Sequence, residues 1–154
     1  MNELPSWARI RPIVIGLFRH EGRILVAEGV DRVADETFYR PIGGAIEFGE
    51  TSAEALVREV TEELGEEISD LEYLGTLENI FTCEGATGHE IVQVYDARFV
   101  DAAVYGRRTL HGHEADADDP DFRASWMFTR DFEGEDAHIL YPDGLLDLLQ
   151  SSPM

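Results

Sequence analysis

The helical pattern of residues 51–64 constrains this sequence most, because the segments on both sides have the composition of strands. Thr51 or Ser52 can cap the start of a helix, and Glu54 completes a capping-box pattern three residues after Thr51. Gly65 is a typical helix stop, since glycine readily adopts the left-handed conformation. The sequence therefore predicts a helix over 51–64.

Two faces of this helix lie side by side. Apolar residues recur every four positions and form a stripe that can pack on a sheet, namely Leu56, Val60 and Leu64. Three carboxylates share the next stripe, with the second and third about 60° and 40° to either side of the first: Glu59, Glu62 and Glu63. Carboxylate oxygens suit hard cations such as Mg²⁺. The alternative is a solvated acidic face, the usual meaning of a Glu-rich helix.

The remaining segments alternate between strand and turn composition. Strands are expected at 10–18, 23–27, 73–81, 90–100 and 124–129, strand pieces around a bend at 38–48, and a closing helix at 144–150. Polar loops are expected at 29–37, 84–88 and 111–121. This order of strands, helix, strands and helix predicts an α+β fold, a mixed β-sheet with helices on its faces.

Length and charge narrow the class of protein further. The 154 residues fit a single domain, 1–154. The net charge of −20, with 32 acids against 12 basic residues, all of them arginine, disfavours a nucleic-acid polymer as partner. We expect no membrane partner, since no apolar run reaches about 20 residues. The N-terminus lacks the pattern of a secretory signal and Cys83 is the only cysteine, so we expect a cytoplasmic location.

The segment before the helix adds features of a ligand site. Gly43 and Gly44 allow a close approach to the main chain. Glu47 and Glu50 place two further acids ahead of the helix. Arg58 is the only basic residue among eight acids in 47–67, which suits a side chain that holds a carboxylate in place.

These residues together resemble the signature of the Nudix hydrolase family, G-x5-E-x7-R-E-U-x-E-E-x-G-U, in which U is a bulky aliphatic residue. The match begins at Gly44 and ends at Gly65, and eight of the nine specified positions agree at the required spacing. The ninth position, where an aliphatic residue is expected, is Glu66, and Ile68 is the candidate to fill that apolar space.

The resemblance implies a Nudix-type α/β/α sandwich and hydrolysis that depends on Mg²⁺ or Mn²⁺. The implied metal ligands are Glu59, Glu62, Glu63 and the carbonyl of Gly44. It also implies that Glu50 supports the metal site, that Arg58 orients carboxylates including Glu50, and that Glu62 or Glu63 helps to activate water. The implied reaction breaks a pyrophosphate bond in a nucleoside diphosphate linked to another group.

Several candidates lie outside the signature. Glu47 and Arg40 are candidates for substrate contacts, and Arg11 is a weaker one; for each, a solvated surface residue is the alternative. A further acid could come from the 111–121 loop or from Glu90, and the loop offers Glu114, Asp116, Asp118, Asp119, His111 and His113. Three aromatic residues that could stack on a base are expected in the core instead: Phe48, Phe81 and Tyr95.

Two kinds of function remain open at this level. The first is hydrolysis of a small nucleotide-type substrate, such as a nucleoside triphosphate, a nucleotide sugar such as ADP-ribose, or a dinucleoside polyphosphate. The second is a non-catalytic Nudix module that binds or senses a nucleotide, because a fold alone does not fix function. The family resemblance also makes a homodimer one option.

Overall fold

The computed structural model describes residues 8–114 and 120–151, and these residues form two helices packed on an eight-stranded sheet. The strands are β1 (Ile10–His20), β2 (Arg23–Asp31), β3 (Glu36–Ala45), β4 (Ile68–Cys83), β5 (Ala86–Phe99), β6 (Thr109–His113), β7 (Asp121–Phe128) and β8 (Ile139–Leu140). The helices are α1 (Ser52–Leu64) and α2 (Leu145–Ser151), and two 3-10 turns span Ala102–Gly106 and Thr129–Phe132. None of the helices in the described ranges is long and apolar enough to span a bilayer.

The sheet is mixed, and β3 connects its two halves. The strand order is β4-β5-β1-β3-β2-β7-β6, with β8 beside β3. β1 runs parallel to β5 and antiparallel to β3. Residues 42–45 of β3 pair with β1, whereas residues 36–41 pair with β2. This arrangement places the end of β3 at the centre of the sheet, beneath α1.

Alternating side chains of the central strands fill two cores, one on each face of the sheet. Val14 belongs to the core under α1, together with Leu56 and Val60 of that helix. The next residue, Ile15, belongs to the core under α2, together with Leu145. Strands that are apolar on both faces are typical of a sheet covered on both sides. The predicted α+β sandwich with a mixed sheet is therefore confirmed.

Local signals set the ends of α1 where the sequence predicted them. The Thr51 hydroxyl accepts the Glu54 backbone N–H at 3.1 Å, and the Gly65 N–H donates to the Thr61 carbonyl at 3.0 Å. Gly65 has a φ of 69°, in the left-handed region that ends helices.

Three predicted loops were too long. Residues 29–37 are mostly strand, because Val30 and Thr37 pair across β2 and β3 and leave only 32–35 as the turn. The 84–88 turn is only Glu84 and Gly85, so β4 and β5 form one long hairpin. In the 111–121 segment, the first three residues belong to β6 and the last begins β7. The predicted pieces at 38–48 are one continuous strand up to Ala45.

Candidate active site

The contact between β3 and α1 brings Gly44 against the first carboxylate of the helix. A Cβ atom built on Gly44 would lie 2.5 Å from Cδ of Glu59, which is closer than real Cβ atoms approach. Gly43 is more tightly constrained, because its Cβ would lie 1.9 Å from the backbone carbonyl oxygen of Val14 in the paired strand. Gly43 is thus required for the close pairing of the two strands, and Gly44 leaves the space that the Glu59 carboxylate occupies.

Arg58 fastens the loop before α1 to the helix. Its Nε and Nη2 donate to the two carboxylate oxygens of Glu50 at 3.0 and 2.6 Å, a bidentate pair. Nη2 also donates to the carbonyl of Ala45, the last residue of β3, at 3.0 Å. The hydrogen bonds from Arg58 lower the pKa of Glu50, and the backbone N–H of Glu47 adds to this effect. Glu50 therefore stays ionised and fixes the loop.

The other side of the same guanidinium reaches two carboxylates of the helix. Nη1 of Arg58 donates to Glu59 at 2.9 Å and to Glu62 at 3.2 Å. The Glu62 side chain is 60% exposed, whereas that of Glu59 is 14% exposed. Arg58 therefore separates the expected three-carboxylate stripe into an exposed Glu62 and an enclosed Glu59.

Glu63 is the buried member of the stripe and lies beside Glu59. It is one of few buried charged residues in the described part of the chain, with 9% of its surface exposed. Burial raises the pKa of Glu63, and a hydrogen bond to Glu59 and the charge of that carboxylate raise it further. The charge of Glu114 also raises the pKa of Glu63, whereas the charge of Arg40 lowers it. Two carboxylates thus meet in a partly dry environment, where Arg58 is bonded to Glu59 and only the charge of Arg40 lowers the pKa of Glu63.

This pair has the chemistry to hold a hard cation. Within residues 8–114 and 120–151, no three His, Cys, Asp or Glu side chains cluster closely enough to form a metal site by themselves. Mg²⁺ commonly uses only one or two protein carboxylates and completes its shell with water and substrate phosphates. The donors at Glu59 and Glu63 fit such a site.

One candidate outside the signature is adjacent to this pair. Glu114 follows β6, and its carboxylate lies 3.5 Å from Nη2 of Arg40. Arg40 and Glu114 are both partly exposed, at 57% and 42%, so they form the open rim of the site. Glu47 is also at the rim, 68% exposed and 3.8 Å from Arg58.

The remaining candidates in the described part of the chain lie away from the Glu59–Glu63 pair. Glu90 is 3.9 Å from Arg11 and shares the strand face of Val92 and Val94, which pack on the α2 side. His113 contacts Asp121 at 3.0 Å, and His111 is exposed on the edge strand β6. Asp116, Asp118 and Asp119 lie outside the described residues.

Two of the three aromatic residues expected in the core lie outside it. Phe81 is half-buried, against Gly88 and near Tyr141, and belongs to neither core. Phe48 was expected in the core, but its side chain is fully exposed, because it projects from the turn that Glu47 and Glu50 close. Tyr95 packs on the α1 core as expected, and its hydroxyl also lies 2.6 Å from that of Ser52 at the start of α1. The pairing of Ser52 with β5 depends on the sheet order, so no local pattern could have shown it.

Glu66, which stands where the family signature has an aliphatic residue, has a polar partner. The Glu66 carboxylate accepts from Arg107 at 3.3 Å and is 15% exposed. Ile68 packs against the α1 core in its place. The departure from the family pattern is therefore accommodated next to the helix rather than within the carboxylate pair.

Comparison with known families identifies the class of protein. The family model described as "NUDIX domain" matches residues 8–141. The chain belongs to this family, which confirms the resemblance found in the sequence.

Relatives of known name share only part of their length with this chain. NAD-capped RNA hydrolase NudC from Pseudomonas aeruginosa, in strains LESB58 and PAO1, is 34% identical over 73 residues. That match covers 47% of this chain and 26% of each relative. The chain thus spans about a quarter of the length of the curated relatives it matches.

Solved structures agree on the fold. The MutT NUDIX hydrolase from Burkholderia pseudomallei has a TM-score of 0.59 at 21% identity, over 84% of this chain and 92% of that one. The E. coli ORF135 protein has a TM-score of 0.58 at 24% identity, over 93% and 90%. At these identities the likeness establishes the fold alone.

Proposed function

We propose that this chain hydrolyses a diphosphate linkage in a small nucleotide substrate, with Mg²⁺ or Mn²⁺ held at Glu59 and Glu63. The observation that carries this proposal is the carboxylate pair itself, with Glu63 buried beside Glu59 and Glu59 packed on Gly44. Two adjacent acids out of water destabilise a fold unless their charge is compensated. Arg58 compensates the charge of Glu59, but Glu63 makes no ion pair among the described residues, so a bound cation would compensate its charge when it ionises.

We assign different tasks to the surrounding side chains. Glu59 and Glu63 would ligate the ion, with the Gly44 carbonyl and Glu62 as further ligands. Arg58 would position Glu59 through its 2.9 Å hydrogen bond while it anchors Glu50. A divalent ion bound here would supply positive charge that polarises phosphoryl oxygens and makes water more acidic.

Two residues are candidates to accept the proton of the attacking water. Glu62 is exposed, so water reaches it freely, and the hydrogen bond from Arg58 keeps its carboxylate oriented. Glu63 is closer to Glu59 but carries a raised pKa before an ion binds. Both assignments stay open, and each predicts a different pH dependence of the corresponding glutamine variant.

Substrate recognition needs positive charge at the rim, because a chain of net charge −20 repels a diphosphate. Arg40 is the candidate phosphate contact, since it is exposed and lies near Glu63 and Glu114. We include nucleoside triphosphates, ADP-ribose and dinucleoside polyphosphates as substrate classes. The curated relatives are named as hydrolases of NAD-capped RNA, so NAD is a further candidate.

The test is to incubate this substrate panel with Mg²⁺ or Mn²⁺ and to quantify the nucleotide cleavage products by chromatography. We expect turnover of at least one compound, and a loss of about a hundredfold or more in Glu63→Gln. Glu72→Gln is the matched control, because it removes one exposed carboxylate from β4, away from the site. Equal turnover in these two variants would reject the site assignment.

The alternative is a module that binds nucleotides without turnover. It would bind a member of the panel, measured by calorimetry, and yield no cleavage product from any of them. The presence of Glu59, Glu62 and Glu63 together favours the catalytic proposal over this one.

A further inference from the structure

A second charged feature lies on different elements, at the β1–β2 turn and the end of β7. The guanidinium carbons of Arg23 and Arg130 lie 4.5 and 4.2 Å from the centroid of the Phe128 ring. Arg23 and Phe128 are directly opposed across β2 and β7, and Arg130 is in the 3-10 turn that follows β7. Two guanidinium groups therefore stack on the same aromatic ring.

Neither guanidinium is neutralised by the protein around it. In the described ranges, no carboxylate lies within 4.0 Å of Arg23 or Arg130, although the sequence has 32 acids and 12 arginines. Nearby acids have other partners: Asp131 accepts the Phe128 N–H at 3.2 Å, and Glu133 accepts the Gln150 amide at 2.7 Å. The pair thus keeps its positive charge for a ligand from solution.

A cavity of about 170 Å³ adjoins Arg23, whereas Phe128 and Arg130 lie outside its lining. It is lined by Arg19, the Gly22 turn, Arg23, Thr129 and the end of α2. The Arg19 side chain is 9% exposed and is held by Asp96 at 2.7 Å, so it presents a fixed wall. At this volume the cavity holds several water molecules, so a small oxyanion fits in it.

We propose that the Arg23–Phe128–Arg130 cluster and the adjoining cavity bind a phosphate-type oxyanion, either inorganic phosphate or the terminal phosphate of a nucleotide. Guanidinium groups match phosphate oxygens with paired hydrogen bonds. Stacking on Phe128 fixes both groups in advance, which reduces the entropy lost when an anion binds. The edge of the aromatic ring is electropositive and favours the same anion. Glu59 and Glu63 have no part in this site.

The test is a titration of metal-free protein with inorganic phosphate at constant ionic strength, in EDTA, followed by NMR of backbone amides and Arg Nε–H groups. Without a divalent ion, the acidic site repels phosphate. We expect saturable shifts at Gly22, Arg23, Thr129 and Arg130. The same titration with adenosine monophosphate decides the source, because a nucleotide that binds by its phosphate shifts the same signals.

Variants separate a built site from general charge attraction. Arg23→Gln with Arg130→Gln should weaken phosphate binding about tenfold or more. Arg98→Gln with Arg108→Gln removes the same charge from exposed positions and should bind as the wild type does. Phe128→Leu keeps both charges and should also weaken binding, which covers the case in which the double variant folds poorly. Equal affinity in both double variants, or no saturation by the wild type, would overturn the proposal.

Discussion

Replacing Glu63 with glutamine tests the charge state of the buried carboxylate pair. Burial first, and then Glu59, raise the pKa of Glu63 from its ordinary 4.5 to about 9 in the metal-free protein. The folded chain therefore keeps a proton that the unfolded chain releases above pH 4.5. Between these values the unfolded state binds fewer protons, so the free energy of unfolding decreases as pH rises. Glutamine has the same size, cannot ionise, and its amide can donate to Glu59.

The expected change in the free energy of unfolding follows from the binding of one proton. A single-proton difference changes the free energy of unfolding by about 1.4 kcal/mol per pH unit. The wild type should therefore lose up to about 3 kcal/mol relative to Glu63→Gln between about pH 6 and about pH 8. For a chain of this length, each kcal/mol corresponds to a Tm shift of roughly 2–4 °C.

The assay is urea unfolding across this pH range in EDTA. Glu62→Gln is the matched control, because it removes the same charge from a side chain that is 60% exposed. General effects of pH on so acidic a chain are common to all three proteins and cancel in the comparison. Added Mg²⁺ should restore the wild type at high pH, since a cation replaces the proton. If the wild type and Glu63→Gln lose stability in parallel, Glu63 ionises normally and the reasoning is wrong.

Two further substitutions test the geometry of the site. Gly44→Ala places a methyl group 2.5 Å from Cδ of Glu59, so that carboxylate must shift; turnover should fall about a hundredfold and stability by less than about 1 kcal/mol, because the end of a side chain can move. Gly106→Ala meets nothing within 4 Å and should change neither, so kinetics and thermal unfolding of the two variants form a matched comparison. Arg58→Lys keeps the charge but loses the bidentate contact with Glu50, so kcat should fall about tenfold or more. Full turnover in the lysine variant would show that charge alone suffices there.

Local rules predicted those parts of the fold that local interactions determine. The Thr51 cap and the Gly65 stop depend on backbone groups within a few residues, and both lie where the sequence indicated. The 29–37 segment was misread because its polar residues resemble a loop. The pairing of Val30 with Thr37 makes it a strand, and that pairing involves the other arm of the hairpin.

The same distinction applies to the site. The Arg58–Glu50 contact joins residues eight apart, on the helix and the loop before it, and the sequence suggested it. The proximity of Glu114 to Glu63 could not be predicted from the sequence. β6 pairs with β7, which pairs with β2, and this order alone brings the end of β6 near α1. A sequence pattern names Glu114 only as one of several acids.

The distribution of charge depends both on the sequence segments and on how the fold brings them together. Residues 47–67 hold eight acids and one arginine, and residues 111–121 hold five acids and neither arginine nor lysine, so both segments repel anions and each other. The fold nevertheless brings Glu114 towards Glu63, with Arg40 as the cation between them. Once Glu63 ionises, this approach of like charges is unfavourable in a partly buried place. On the proposed function, a divalent cation bound here would relieve this repulsion, so metal affinity and the instability of the ionised, metal-free site would have one physical origin.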